Sequence, residues 1–88
     1  MGSQILRVSS KSVPTSVAGA IVGVVREAGS VQLHAVGAAA ANQAIKSVAI
    51  ARTYMAESGM DLICVPEFTN VTIGEEERSA ISLTVLPR

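Results

Sequence analysis

Two stretches of this 88-residue chain, residues 10–12 and the alanine-rich residues 37–46, contain residue types that bind phosphate groups, and each lies at or just before the start of a helix-forming segment. The first turn of a helix leaves its backbone N–H groups without partners, and such groups bind anions. Hydroxyl, amide and ammonium groups beside that turn add donors and positive charge. The candidate phosphate-binding residues are Ser10, Lys11, Ser12, Gly37, Asn42, Gln43 and Lys46.

Each stretch also has a purely structural interpretation. The serines of the first stretch could cap the helix that follows, with the lysine between them an ordinary solvated side chain. Asn42 and Gln43 could cap the second helix or make a polar contact with a partner subunit. Lys46 and Arg52 could be solvated, or pair with Glu57.

The chain offers little for catalysis or metal binding. A zinc site needs three or four ligands, whereas His34 and Cys64 are the only histidine and cysteine in the sequence. No phosphate-binding loop and no nucleophile elbow is present in the sequence. We therefore expect no enzymatic activity, no cofactor, no metal site and no small-molecule substrate. His34 is expected to be exposed on a strand, and Cys64 to be a packed thiol.

Composition narrows the class of protein further. Formal net charge is zero, so no global charge attracts the chain to a polyanion. The single cysteine fits a reducing compartment. The sequence shows no secretory signal pattern and no apolar run long enough to cross a membrane. We expect a single domain over residues 1–88 that lies in the cytoplasm and has no membrane partner.

Hydrophobic periodicity predicts six elements in the order β-α-β-α-β-β. The predicted strands cover residues 5–8, 31–35, 62–65 continuing over 69–73, and 80–86, and the predicted helices cover 14–28 and 39–57. The run 62–65 is apolar on both faces, which is typical of a central strand. Pro66 is expected to end its pairing or mark a bulge. Residues 74–78 are predicted to form a charged turn.

The handedness of the connections determines how these elements stack. Two right-handed crossovers that step in one direction place both helices on one face of the sheet. The chain is therefore predicted to be an α/β (α+β) two-layer sandwich whose other sheet face is polar and exposed to water. That polar face is predicted to contain Arg7, Gln32, His34, Ser82 and Thr84.

The second predicted helix carries more apolar surface than one contact needs. Besides its main apolar stripe it presents Ile50 and Tyr54, and a helix apolar over more than about a third of its circumference usually buries a second contact. We expect a homodimer or a tetramer, with Ile50 and Tyr54 as the candidate interface.

Motifs along nearly the whole chain resemble one protein family. They are Val8-Ser9, Lys11-Ser12, the segments at 16–20, 42–46, 48–52 and 61–64, Gly74-Glu75-Glu76 and Pro87-Arg88. On these motifs the chain resembles the bacterial stage V sporulation protein S family over residues 6–88. The resemblance implies a fold similar to that of the Alba nucleic-acid-binding proteins: a mixed four-stranded sheet with the last strand antiparallel to the rest. It also implies dimers as building blocks, a regulatory role in sporulation or related development, and nucleic-acid binding.

Compared with Alba proteins position by position, the chain lacks most of the cationic surface. Lys11 occupies a matching place, but Ser10 stands where Alba proteins often carry a second lysine. Gly37, Ala39 and Gln43 likewise stand at places that are basic in Alba proteins. The hairpin that Alba proteins use as an arm along the duplex here has three glutamates, 75–77, at its tip.

Two functions follow as expectations. The first is a regulator that binds DNA or RNA largely without sequence specificity, as a homodimer or tetramer. The alternative is a protein-interaction or structural module that does not bind nucleic acid, which zero net charge and the acidic hairpin tip favour.

Overall fold

The computed structural model describes residues 4–88 and contains the six elements in the predicted order. Both helices and the first two strands lie within one residue of the predicted bounds. The elements are β1 (Gln4–Val8), α1 (Pro14–Ala28), β2 (Val31–Ala35), α2 (Ala38–Ala56), β3 (Leu62–Ile73) and β4 (Glu76–Pro87).

The four strands form one mixed sheet in the order β1-β2-β4-β3. β1 and β2 are parallel, and β4 runs antiparallel to both of its neighbours. The two crossovers step the same way across the sheet, so α1 and α2 pack side by side on one face. The predicted α+β two-layer sandwich is confirmed.

Helix α1 has the sequence signals of both its ends. Pro14 occupies the first turn, where a missing N–H costs nothing. Gly29 ends the helix in the left-handed conformation with φ of 88°, and its N–H donates to the carbonyl of Val25 at 2.9 Å. Ala18, Ile21 and Val25 recur at helical spacing and are buried against the sheet.

Helix α2 packs on the sheet through a buried face made mostly of small residues, three alanines and a serine among six. Ala40, Ala44 and Ala51 are buried there together with the longer Met55. The largest fully buried side chains of the core come from both layers and are Ile21, Leu33, Met55, Leu62, Val31 and Val85. Among the residues that the structure describes, neither helix is long and apolar enough to cross a membrane.

The prediction that residues 62–65 form a central strand is wrong. β4 inserts between β2 and β3, which leaves β3 at the edge of the sheet. Cys64 is therefore exposed instead of packed, and Val65 is exposed as well. Only Leu62 of this run is buried in the core. An apolar run alone did not distinguish a strand buried on both faces from one whose apolar side chains are presented at an edge.

Pro66 neither ends the pairing nor marks a bulge, contrary to both expectations. β3 pairs with β4 in unbroken register from Leu62 to Ile73, with Pro66 opposite Leu83. An edge strand tolerates proline because only one of its sides has a neighbour.

The hairpin between β3 and β4 is longer than predicted. Its turn is confined to Gly74 and Glu75, and the register resumes at once with Ile73 opposite Glu76. Glu77 and Arg78 thus belong to β4 and not to a turn.

The side chains on the outer sheet face are less exposed to solvent than the alternation of polar and apolar residues predicted. Arg7 is exposed, but Gln32, His34 and Thr84 are half-buried and Ser82 is 5% exposed. Ser82 lies between His34 on β2 and Glu67 on β3, and the short serine side chain is shielded between these two longer ones. Its predicted exposure is therefore wrong.

Candidate nucleic-acid interface

The loop between β1 and α1 is a compact turn held by its own serines. The N–H of Ser12 donates to the carbonyl of Ser9 at 3.1 Å, and the N–H of Ser9 donates to Oγ of Ser12 at 2.9 Å. The N–H of Lys11 donates to Oγ of Ser9 at 3.1 Å. The serines do not cap α1, whose N-cap Val13 makes no side-chain hydrogen bond. Ser10 and Lys11 are thereby presented to solvent on a preformed turn.

One hydrogen bond joins this loop to α2. Nε2 of Gln43 donates to the carbonyl of Ser12 at 2.9 Å. The carbonyl of Gln43 in turn accepts a hydrogen bond from Oγ of buried Ser47 at 2.7 Å. Gln43 therefore positions the loop beside the helix and does not cap α2, whose N-cap is Gly37.

The start of α2 carries unpaired donors. Gly37 is the N-cap residue of α2, with φ of 89° and ψ of 160°, and it has no side chain that could cap the helix. No side chain caps the N–H groups of the first turn of α2, and such groups point outward. Asn42 and Lys46 are exposed and lie on one face at i, i+4 spacing. Neither Asn42 nor Lys46 has a hydrogen-bond or ion-pair partner among residues 4–88.

The hydrogen bond from Gln43 to Ser12 joins the two stretches that hold the seven candidate residues, and we call these residues together the loop–helix surface. Gln43 links the loop to α2, and Lys46 lies about 12 Å along the helix from its start. The surface comprises Ser10, Lys11, Ser12, Gly37, Asn42, Gln43 and Lys46.

Arg52 does not join the loop–helix surface. The predicted pairing with Glu57 is wrong for it, because Nε of Arg52 donates to Oδ1 of Asp61 at 2.8 Å. The hydrogen bonds from Arg52 and from the N–H of Leu62 hold the pKa of Asp61 below its ordinary value, and the same pairing raises the pKa of Arg52. Arg88 also approaches Asp61, at 3.4 Å. The positive charge of Arg52 is compensated locally.

An apolar groove that the sequence did not reveal runs between α2 and the edge strand β3. It consists of two separate hollows, one of about 220 Å³ at the start of α2 and one of about 370 Å³ farther along the helix, where Arg52 and Arg88 add charge. Phe68 stands beside it with 89% of its surface exposed, and Ile45 is 57% exposed. We call this surface the α2–β3 seam; it is lined by Ala38, Ala41, Ile45, Ala49, Cys64 and Phe68, and it meets the loop–helix surface at Gly37.

The predicted interface residues lie on the other flank of α2. Ile50 and Tyr54 follow Gln43 at helical spacing, so they face the α1 side of the helix. Ile50 is half-buried against the core, and Tyr54 is 42% exposed. Helical spacing identified the extra apolar stripe but not the seam, because the seam also depends on where β3 lies.

The alternation of polar and apolar residues also did not predict a cleft of about 300 Å³ on the outer sheet face. Arg7 and His34 form one side of it, and Val71 and Ile73 from the β3–β4 hairpin form the other. β3 is not a neighbour of β1, so the hairpin must curl over the outer face to reach Arg7. Nothing in the sequence pattern signals that curl.

The fold and the loop–helix surface define a class of small two-layer α+β proteins with β-α-β-α-β-β order and an uncapped helix beside a lysine-bearing turn. Within that class the chain belongs to the stage V sporulation protein S family, whose model matches residues 4–88. Membership implies a role in sporulation, and it confirms the resemblance found in the sequence motifs.

Proposed function

We propose that this protein is a non-enzymatic regulator in sporulation that binds the phosphate backbone of nucleic acid through the loop–helix surface. The observation that carries the proposal is the hydrogen bond from Gln43 to Ser12, which joins the loop of Lys11 to the helix that carries Lys46. Neither lysine has an ion-pair partner in the described part of the chain. Phosphate contacts of this kind position a protein without reading the sequence of bases.

The charges of the surface limit the strength of binding. Each protomer supplies two lysines there, while the hairpin tip presents Glu75, Glu76 and Glu77, which repel phosphate. The expected contact is weak, and its dependence on salt is shallow, because the slope of log K against log salt is about −0.9 per phosphate neutralised. A cytoplasmic location belongs to the same proposal, since nucleic acid is found there and Cys64 is a free thiol.

Reversing the charge of Lys11 tests this surface. We expect Lys11→Glu to weaken binding of labelled single- and double-stranded DNA and RNA in fluorescence anisotropy, and to make the salt slope shallower, because a phosphate contact is replaced by repulsion. Arg26→Glu is the matched control, since it makes the same charge change at the far end of α1. No binding at all below about 100 µM at low salt would contradict the proposal, because nonspecific sites typically bind in the range of about 1–100 µM. An effect equal to that of Arg26→Glu would place the site elsewhere.

We propose further that the functional unit is a homodimer formed through the α2–β3 seam. Phe68 protrudes beside an apolar groove of about 220 Å³ on the same surface. In a two-fold interface each copy presents the same patch, so the Phe68 of one copy fills the groove of the other. Large exposed aromatic side chains beside apolar pockets are typical anchors of interfaces.

The two aromatic residues of the chain discriminate between the candidate interfaces. Phe68→Ser is expected to convert a dimer of about twice the 9.0 kDa chain mass into a monomer in sedimentation equilibrium, because the anchor of the seam is lost. Tyr54→Ser is the matched control on the opposite flank and is expected to leave the dimer intact. Dissociation by Tyr54→Ser alone would assign the interface to Ile50 and Tyr54. A Phe68→Ser protein that stays dimeric but loses nucleic acid would assign Phe68 to base stacking instead.

The alternative function, a protein-interaction module without nucleic-acid binding, also has an observation in its favour. Phe68 is almost fully exposed, and the acidic tip at Glu75–77 suits a basic protein surface better than a phosphate backbone. Loss of all anisotropy signal in the experiment above, with an intact dimer, is the result that favours this alternative.

A further inference from the structure

The outer sheet face brings two basic side chains together. Arg7 on β1 lies directly opposite His34 on β2 in the parallel ladder, and neighbouring strands are about 4.8 Å apart. Both project away from the helices, because their chain neighbours Val8 and Ala35 are buried in the core. A ring nitrogen of His34 lies 3.2 Å from Oε1 of Gln32.

The guanidinium of Arg7 is available for a bound anion. Arg7 is exposed and has no hydrogen-bond or ion-pair partner among residues 4–88. This distinguishes it from Arg26, which bonds Ser58, and from Arg52, which bonds Asp61. A guanidinium presents a planar fork of donors that matches a phosphate or carboxylate.

The cleft beside Arg7 is polar at one end and apolar at the other. Its volume of about 300 Å³ is at the lower end of the range for small-molecule sites, about 300–1,000 Å³. The polar end has Arg7, His34 and the exposed Ser10, and the apolar walls are Val36 together with Val71 and Ile73 of the curled hairpin. A compact molecule with an anionic group and a flat, apolar-faced ring matches this division.

We propose that this cleft binds a nucleoside phosphate, with the phosphate on Arg7 and the base between Val36 and the hairpin residues Val71 and Ile73. The proposal rests on the function proposed above in preferring a nucleotide to other organic anions. The cleft holds one nucleotide, and a base inside a duplex is not free to enter it, so the strand form that fits is single-stranded. The same chemistry is offered by a free mononucleotide and by a nucleotide within a single strand.

Heteronuclear NMR of the intact protein tests the cleft, with adenosine 5′-monophosphate, orthophosphate, a short single-stranded oligonucleotide and a duplex as probes. The mononucleotide and the single strand are expected to shift the methyl resonances of Val36, Val71 and Ile73. Arg7→Gln is expected to weaken the binding of the mononucleotide and of the single strand by about tenfold each, because a charge-assisted hydrogen bond is lost. Arg26→Gln, the matched loss of one distant charge, is expected to change neither. Because Ile73 is half-exposed, Ile73→Trp is expected to fold and to block the cleft.

The outcomes separate this proposal from the proposed function. The cleft is refuted if orthophosphate gives the same methyl shifts and affinity as the mononucleotide, or if Arg7→Gln behaves like Arg26→Gln. Duplex binding that persists in that case, and that still depends on Lys11, leaves the proposed function standing. Mononucleotide binding in the cleft without any oligonucleotide binding supports the cleft with a free nucleotide as its source and refutes the proposed function.

Discussion

Replacing Leu33 with alanine is expected to lower the free energy of unfolding by about 2–5 kcal/mol. Leu33 is fully buried on β2, with Leu6 and Leu83 as its neighbours across the sheet and both helices above. The substitution removes apolar contacts and leaves a cavity. Because β2 has a neighbouring strand on each side, the surrounding structure cannot easily close that cavity. The free energy of unfolding of a native protein is about 5–15 kcal/mol in total, so this loss is a large part of the stability.

Denaturant unfolding at fixed protein concentration measures this loss, since self-association would otherwise contribute. Leu86→Ala is the matched control, because Leu86 is only half-buried on the outer face of β4. It is expected to cost less than half as much. Equal losses at Leu33 and Leu86 would show that the core is not where the buried side chains place it.

Gly37→Ala is expected to destabilise the protein by about 1–3 kcal/mol, although a methyl group at this position would meet no other atom within 4 Å. The cost comes from the backbone. With φ of 89° and ψ of 160°, Gly37 occupies a region that is essentially restricted to glycine. This conformation lets the chain leave β2 and enter α2 within two residues, so the variant must strain or shift the start of α2.

Gly23→Ala is the control with the opposite expected sign. Gly23 also has open space around its α-carbon, but it lies inside α1 without a positive φ. Alanine there is expected to stabilise by about 0.4–1 kcal/mol, because the unfolded chain loses conformational freedom. Thermal unfolding of the two variants under identical conditions measures both changes. A stabilising Gly37→Ala would contradict the conformation described for the β2–α2 junction.

The local elements of this fold could be predicted from the sequence, because their signals are local. Pro14 and Gly29 mark the ends of α1, and strict alternation marks β2. The right-handed crossover rule placed both helices on one face. The order of the strands could not be obtained in the same way. Whether β4 or β3 lies next to β2 depends on packing between residues about 50 positions apart in sequence, such as Leu33 and Leu83.

The candidate site was predicted in part. The spacing of residues around Lys11 and Gln43 pointed to two helix starts, and the structure joins the first loop to α2 through the bond between Gln43 and Ser12. That bond joins residues 31 positions apart and leaves no periodic signal. The sequence also did not indicate that Val71 and Ile73 lie across the cleft from Arg7 and His34. The hairpin approaches these residues by curling and not by strand pairing, which leaves no pattern in the sequence.

Pro66 has a consequence for how the molecule avoids polymerising. β3 is a 12-residue edge, long enough to extend the sheet indefinitely by pairing with further copies. Proline in the middle of that edge removes a donor from the row that a further strand would need, and the neighbouring Glu67 adds charge. Exposed side chains of β3 such as Phe68 can contact another copy without extending the backbone ladder, whereas backbone pairing would let a fibre grow. Replacing Pro66 would restore that donor and so remove a barrier to backbone pairing between copies.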